Sequence, residues 1–293
     1  MFAPVKYLLY LKHFQNKTKL ASHITDLKSK DYSVGFVPTM GALHNGHLSL
    51  VKNGLEENDV VVVSIFVNPT QFDNKDDLIK YPRTLEADIA LLETISDQKI
   101  IVYAPTAEDL YGDQVESQSF SFDGLENEME GAFRPGHFDG VGTVVKRLFE
   151  IVKPDSAYFG EKDFQQLQII KKLVELHGLP VNVVGCPIHR ADDGLAMSSR
   201  NARLTPEHRK AAPFIYKTLT SAKIKFGTKS AKNVTDWVTK QFENQALLDL
   251  EYFIIADEAT LKPTKRKSTK KSYRAFIAVY AGDIRLIDNI ALN

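Results

Sequence analysis

Short apolar runs alternate with segments of helical period through the first two thirds of the chain, and this alternation restricts the fold more than any other feature. Residues 34 to 38 (VGFVP) and 60 to 67 (VVVVSIFV) read as strands, the second rich in β-branched side chains. Between them Leu48, Leu50, Val51 and Leu55 mark a helix, and the spacing suits a right-handed crossover between parallel strands. The pattern repeats. KIIVYAP near residue 100 is strand-like, and GVGTVVKRLFEIVKP is a helix with Val141, Val144, Val145, Leu148 and Ile151 on its apolar side, stopped by Pro154. SAYFG, then DFQQLQIIKKLVELHG ending at Gly178, then VNVVG continue strand, helix, strand. A Rossmann-like, mostly parallel sheet with helices on both faces is predicted.

After about residue 187 the character changes. Thr205 and Pro206 suit the N-cap and first turn of a long helix through about Phe226, and a second helix is expected near 231 to 246. LEYFIIAD and YRAFIAVYAGDIRLIDN then read as strands of a smaller α+β unit. With 293 residues the chain is long for one core, so two domains are expected, 1–187 and 188–293.

Charge narrows the partners. Lys plus Arg and Asp plus Glu both number 37, so no bulk field favours nucleic acid or an anionic membrane, and any anion must be held by a local constellation. The dense segment LKPTKRKSTKKSYR between the last strands reads as a solvated hairpin loop, since no aromatic stacking platform precedes Tyr273. The single cysteine, Cys186, leaves no intramolecular disulfide and no Cys-rich zinc site, and its strand-end setting suits a packed thiol. No apolar run reaches the roughly 18 residues of a membrane span, and MFAPVKYLLYLKHF lacks a cleavage-site pattern. A cytoplasmic protein is expected.

In open α/β sheets ligands bind beyond the carboxyl ends of strands, where a helix N-terminus offers free N–H groups. PTMGALHNGH stands at such a place: Gly41 and Gly46 allow close backbone approach, and His44 and His47 can donate ring N–H groups to phosphate oxygens. Two histidines without a carboxylate or cysteine partner in the motif make a poor transition-metal site. On the local pattern alone they remain either anion ligands or ordinary packed or surface histidines. FGEKDFQQ puts Lys162 and Asp163 at a strand end, and DGLAMSSRN offers Ser198, Ser199 and Arg200 on a loop at the proposed domain junction. FVNPTQF contributes Asn68 and Gln71, neutral groups suited to a polar organic substrate, and RPGHFDGV adds Arg134 and His137.

PTMGALHNGH, SIFVNPTQF, YPRTLEAD, RPGHFDGVGTVV, FGEKDFQQL and DGLAMSSRN, in this order over roughly residues 34 to 210, resemble the pantoate–β-alanine ligase family of the nucleotidyltransferase superfamily. The tail AGDIRLIDN resembles the family's end; the Lys-rich segment is more basic than the family leads one to expect. The resemblance implies a magnesium-requiring, homodimeric enzyme in which ATP and pantoate give pantoyl adenylate and pyrophosphate, after which β-alanine displaces AMP. It implies phosphate binding by His44, His47, Lys162, Ser198, Ser199 and Arg200, ribose contacts from Gly160 and Asp163, and a nucleotide site lined by Met40 and Met197. Gln71 and Gln166 would hold pantoate in a pocket shaped by Pro38 and Thr39, and Asp88, with Glu86 nearby, would lie near the metal. A reactive mixed anhydride must be kept from water, so the unit after residue 187 is expected to close as a lid, hinged near Pro187 to Arg190. The alternatives are another nucleotidyltransferase of the superfamily and a non-catalytic nucleotide-binding module; the glutamines and the AMSSRN loop favour a carboxylate acceptor, and no expected phosphate ligand is missing.

Overall fold

Valine- and isoleucine-rich runs with no polar face form strands only where a sheet is covered on both sides, and the central strands are so covered. The computed structural model describes residues 11–72, 75–264 and 266–293; the first ten residues of the stretch read for a leader, and Lys265 of the basic loop, lie outside them. Strands β1 (Lys12–Phe14), β2 (Val34–Thr39), β3 (Val60–Ile65), β4 (Ile100–Tyr103), β5 (Ser156–Gly160) and β6 (Asn182–Cys186) pair in parallel in the order β1-β4-β3-β2-β5-β6. Alternate residues of each strand enter different cores. Phe36, Val62, Ile101 and Tyr103 pack with the helices Lys17–Lys28, His137–Val152 and Phe164–His177. Val37, Val61, Val63 and Val102 pack with the helices Asn45–Glu57 and Leu85–Glu93. Removing one fully buried side chain here, as in Phe36→Ala, leaves a cavity expected to cost about 3–5 kcal/mol.

The strand order reverses direction at β2: the chain runs outward to β3 and β4 on one side, and β5 and β6 form on the other. Crossover helices therefore diverge beyond the carboxyl ends of β2 and β5, leaving a crevice between them.

Three antiparallel strands, β7 (Asp249–Asp257), β8 (Tyr273–Ala281) and β9 (Ile284–Ala291), form a second sheet. Its faces also divide by alternation. Ala275, Ile277 and Val279 pack on the helices Phe214–Thr228 and Ala231–Phe242, whereas Phe276, with Ala256 and Leu261, joins the core of the first sheet. The α/β sheet plus a smaller α+β portion is as the sequence predicts.

The single helix expected from Thr205 through Phe226 is instead two, Pro206–Ala211 and Phe214–Thr228. Pro213 breaks it, because the ring offers no N–H to the carbonyl one turn earlier. The next helix ends at Phe242 rather than near 246. β1, only three residues long, carries too little pattern to be read in advance.

Candidate active site

The crevice at the β2/β5 switch holds a cavity of about 260 Å³ lined by Pro38, Thr39, Met40, His44, His47, Asn68, Gln71, Gly160, Lys162, Asp163, Gln166, Met197, Ser198, Ser199 and Arg200. Groups that are up to 162 positions apart in sequence, from Pro38 to Arg200, thus converge on one space. A larger cleft of about 540 Å³, between the two sheets, shares Lys162, Asp163, Gln166, Ser198 and Arg200 with it and is also lined by Arg134 and His137.

The histidines are built into the start of the helix Asn45–Glu57. His44 is its N-cap: its Nδ1 accepts from Gly46 N at 3.1 Å, and Nδ1 of His47 accepts from His44 N at 3.3 Å. This is a capping box made by imidazoles in place of the usual hydroxyl and carboxylate. A backbone N–H can only donate, so each Nδ1 lacks a proton and each neutral ring carries its proton on Nε2. The rings lie 4.1 Å apart, centroid to centroid, both lining the cavity. Burial, then the Lys162 charge, brings the His44 pKa down to about 4; burial, then His44 and Lys162, brings that of His47 down to about 3. Near neutral pH they are uncharged donors.

Gly46 is required by this cap: a Cβ there would stand 2.8 Å from Cε1 of His44. Gly41, at φ +83°, turns the chain off β2, where a side chain would be strained.

Asp88 closes that turn. Its carboxylate accepts from Leu43 N at 2.7 Å, from Ala42 N at 3.0 Å and from the Thr84 hydroxyl at 3.2 Å, and it is 3% exposed. It lines neither cavity, and Glu86 is exposed. The position expected near a metal is thus occupied with holding the loop ahead of His44.

The glutamines in and beside the cavity divide by geometry. Gln165 is spent on structure, donating to Leu125 O and Glu128 O and accepting from Glu130 N. Gln166 faces the cavity, and its side chain makes no hydrogen bond among the described residues. The Gln71 amide nitrogen lies 2.7 Å from Met40 Sδ, a weak acceptor, while its Oε1 accepts from Asn68 at 3.2 Å. Asn68 is 1% exposed and also bonds Gly140 O, Thr70 and Tyr111, so it orients Gln71 rather than offering a free amide. Arg134 and His137, predicted as additional ligands, hold the Gln71 main-chain oxygen at 3.3 and 2.9 Å.

Lys162 sits in the single turn Glu161–Asp163 after β5, with its ammonium 3.8 Å from Asp163. Ser198 caps the short helix Ser199–Arg203, its Oγ accepting from Arg200 N at 3.3 Å. His189 joins the cavity wall near enough to His44 to depress its pKa; a lone histidine after Ile188 carries no pattern that would have singled it out. Cys186 is buried, as a packed thiol.

A parallel sheet that gathers an HxGH helix start, a strand-end lysine and a Ser-Ser-Arg loop at its switch point defines an α/β protein with a crevice suited to an anionic ligand. The family model described as Pantoate-beta-alanine ligase matches residues 12–291. The chain is 61% identical to the pantothenate synthetase of Christiangramia forsetii and 58% to that of Flavobacterium psychrophilum, covering 96% and 95% of this chain and 99% of each relative. The crystal structure of pantothenate synthetase from Thermus thermophilus superposes with a TM-score of 0.87 at 39% identity, over 96% of this chain and 99% of that one. That of the Francisella tularensis pantoate-beta-alanine ligase, complexed with β,γ-ATP and β-alanine, gives 0.78 at 37%, over 96% and 98%. The chain belongs to the pantoate–β-alanine ligase family, and its activity is the ATP-dependent condensation of pantoate with β-alanine.

Proposed function

We propose that the condensation runs through pantoyl adenylate formed in the β2/β5 crevice. The observation that carries this reading is the pair of Nε2–H donors fixed at a helix start in one cavity with Lys162 and Ser198–Arg200. A pantoate carboxylate oxygen attacks the α-phosphorus of ATP and the bond to the bridging oxygen breaks, so pyrophosphate leaves. The carboxylate is already a nucleophile, and no general base is needed. The protein aligns the reactants and stabilises charge on the departing phosphates, which neutral donors and a lysine do without giving up protons. β-Alanine nitrogen then attacks the acyl carbon, the acyl–phosphate bond breaks, AMP departs, and the amine loses a proton.

In this reading His44, His47, Lys162, Ser198, Ser199 and Arg200 hold the phosphates, Gly160 and Asp163 the ribose, and Met40 and Met197 the nucleotide walls. Gln71 and Gln166 hold pantoate, with Pro38 and Thr39 shaping its pocket; a pantoate oxygen is a far better acceptor for the Gln71 amide than Met40 sulfur. Magnesium enters with ATP, whose phosphates are its usual ligands. Asp88 lines neither cavity and its oxygens accept the Ala42 and Leu43 backbone N–H groups, so in this proposal it holds the loop ahead of His44 and meets the metal through no contact of its own. Residues 1–187 and 188–293 form two domains in this proposal, the second a lid. Arg190 is pinned to Asp288 and lies 3.7 Å over Tyr216, so it travels with the second sheet and the pivot falls at Pro187–His189. A cytoplasmic homodimer completes the proposal; no helix among the described residues is long and apolar enough to cross a membrane.

ATP and pantoate supplied with and without β-alanine test the scheme. Pyrophosphate release that depends on pantoate alone, with AMP appearing only when β-alanine is added, is expected. Pyrophosphate release that ignores pantoate overturns it.

A further inference from the structure

The Lys162 turn is held by a residue at the far end of the chain. Asn289, in β9 and 1% exposed, donates its side-chain amide to the main-chain oxygens of Glu161 at 2.8 Å and Lys162 at 2.9 Å. Its Oδ1 accepts from Arg274 at 2.7 Å. Carbonyls only accept and a guanidinium only donates, so the amide orientation has no alternative. Arg274 also faces Glu161 at 3.4 Å and pairs with Glu258 at 2.8 Å.

The preceding residue ties down the other phosphate-facing element. Asp288 accepts both arms of Arg190, at 2.6 and 2.9 Å, and Arg190 in turn donates to Gly194 O at 3.1 Å. Bonds from Met197 N to His189 O and from Ala191 N to Leu195 O complete the small hairpin that delivers Met197 and Ser198 to the cavity. Neighbouring residues of one strand thus register a lysine and a hydroxyl-arginine loop that approach the cavity from different parts of the sequence.

We infer that Asn289 is a positioning residue for adenylate formation: by fixing both carbonyls of the Glu161–Lys162 turn it aims the Lys162 ammonium, and through Asp288 it keeps that cation in register with the Ser198–Arg200 loop across one polyphosphate. The inference rests on the reading that Lys162 binds ATP phosphates. A residue that only stabilised the fold would serve both half-reactions alike, whereas one that aims Lys162 matters where pyrophosphate leaves.

Asn289→Asp is nearly isosteric but cannot donate to the two carbonyls. Its pantoate-dependent pyrophosphate release is expected to fall about tenfold or more, with KM for pantoate within about twofold, while amide formation from supplied pantoyl adenylate and β-alanine changes by less than about threefold. On a Lys162→Ala background the same change should cost almost nothing further, since one residue acts through the other. Asn289→Ser, which keeps one donor, should recover part of the rate and serves if the aspartate variant does not fold. Equal losses in both half-reactions, full additivity with Lys162→Ala, or no loss at all overturns the inference. If Lys162→Ala itself leaves pyrophosphate release intact, the phosphate-site reading fails first.

Discussion

The histidine end and the lysine end of the site are built in opposite ways. His44 and His47 are set by their own helix: each accepts a backbone N–H from within three residues, and that local exchange both caps the helix and decides which nitrogen carries the proton. Lys162 has no such device. Its turn is three residues long and is held by Asn289, 127 positions away, on a strand of the other sheet. One half of the site is set mainly by its own helix start, and the other is tied to the second sheet. Docking is substantial. Besides Asn289, Arg285 of β9 makes a double ion pair to Glu130, with Tyr252 donating to the same carboxylate at 2.7 Å.

The comparison can be broken most severely at Lys162. Lys162→Ala should lower pantoate-dependent pyrophosphate release by about 10²–10³, the scale for removing one charge-stabilising group, with the fold retained; unchanged release would remove Lys162 from the mechanism. His44→Ala should lower the same rate by a similar factor, but unlike the lysine variant it should also lower stability by about 1 kcal/mol through loss of the cap. His44→Asn separates these effects, because asparagine is a good N-cap but cannot place a donor where Nε2–H stood. Its melting temperature should return while its rate does not, and a recovered rate would show that the cap alone mattered.

A pH prediction sharpens the contrast. Both folded pKa values, about 4 and about 3, lie below the ordinary 6.5. Between those limits the unfolded chain binds protons that the folded imidazoles refuse, so stability is full above pH ~6.5 and declines as pH falls toward ~4. Chemical denaturation across this range should show the slope, and His44→Asn should reduce it. Pyrophosphate release should show no titration of these two histidines between pH ~6 and ~8; a rise in rate on acidification through ~6.5 would mean they act as cations. The smallest effect is expected in the basic hairpin. Arg266→Ser with Lys270→Ser, both exposed, should leave the ligase rate within about twofold.

The alternation of apolar runs, and with it the α/β class, was legible because valine-rich strands buried on both faces leave a continuous signature. The six motifs also placed the cavity wall. Less could be read where a polar side chain's use depends on what it meets. Asn68, Arg134 and His137 looked like ligands, yet they orient Gln71; Asp88 looked like a metal neighbour, yet it ties the Ala42–Leu43 backbone; Gln165 and Gln166 are adjacent and do different work. No local pattern distinguishes an amide that donates to a carbonyl from one that faces an open cavity.

By itself the sequence determined the strand–helix order and the family, because periodicity and short motifs are carried by neighbouring residues. The tertiary structure alone decided that Asp88 serves the loop and that Asn289 holds the Lys162 turn. These depend on hydrogen bonds and packing between segments far apart in the chain, and such contacts are defined only once both sheets are in place.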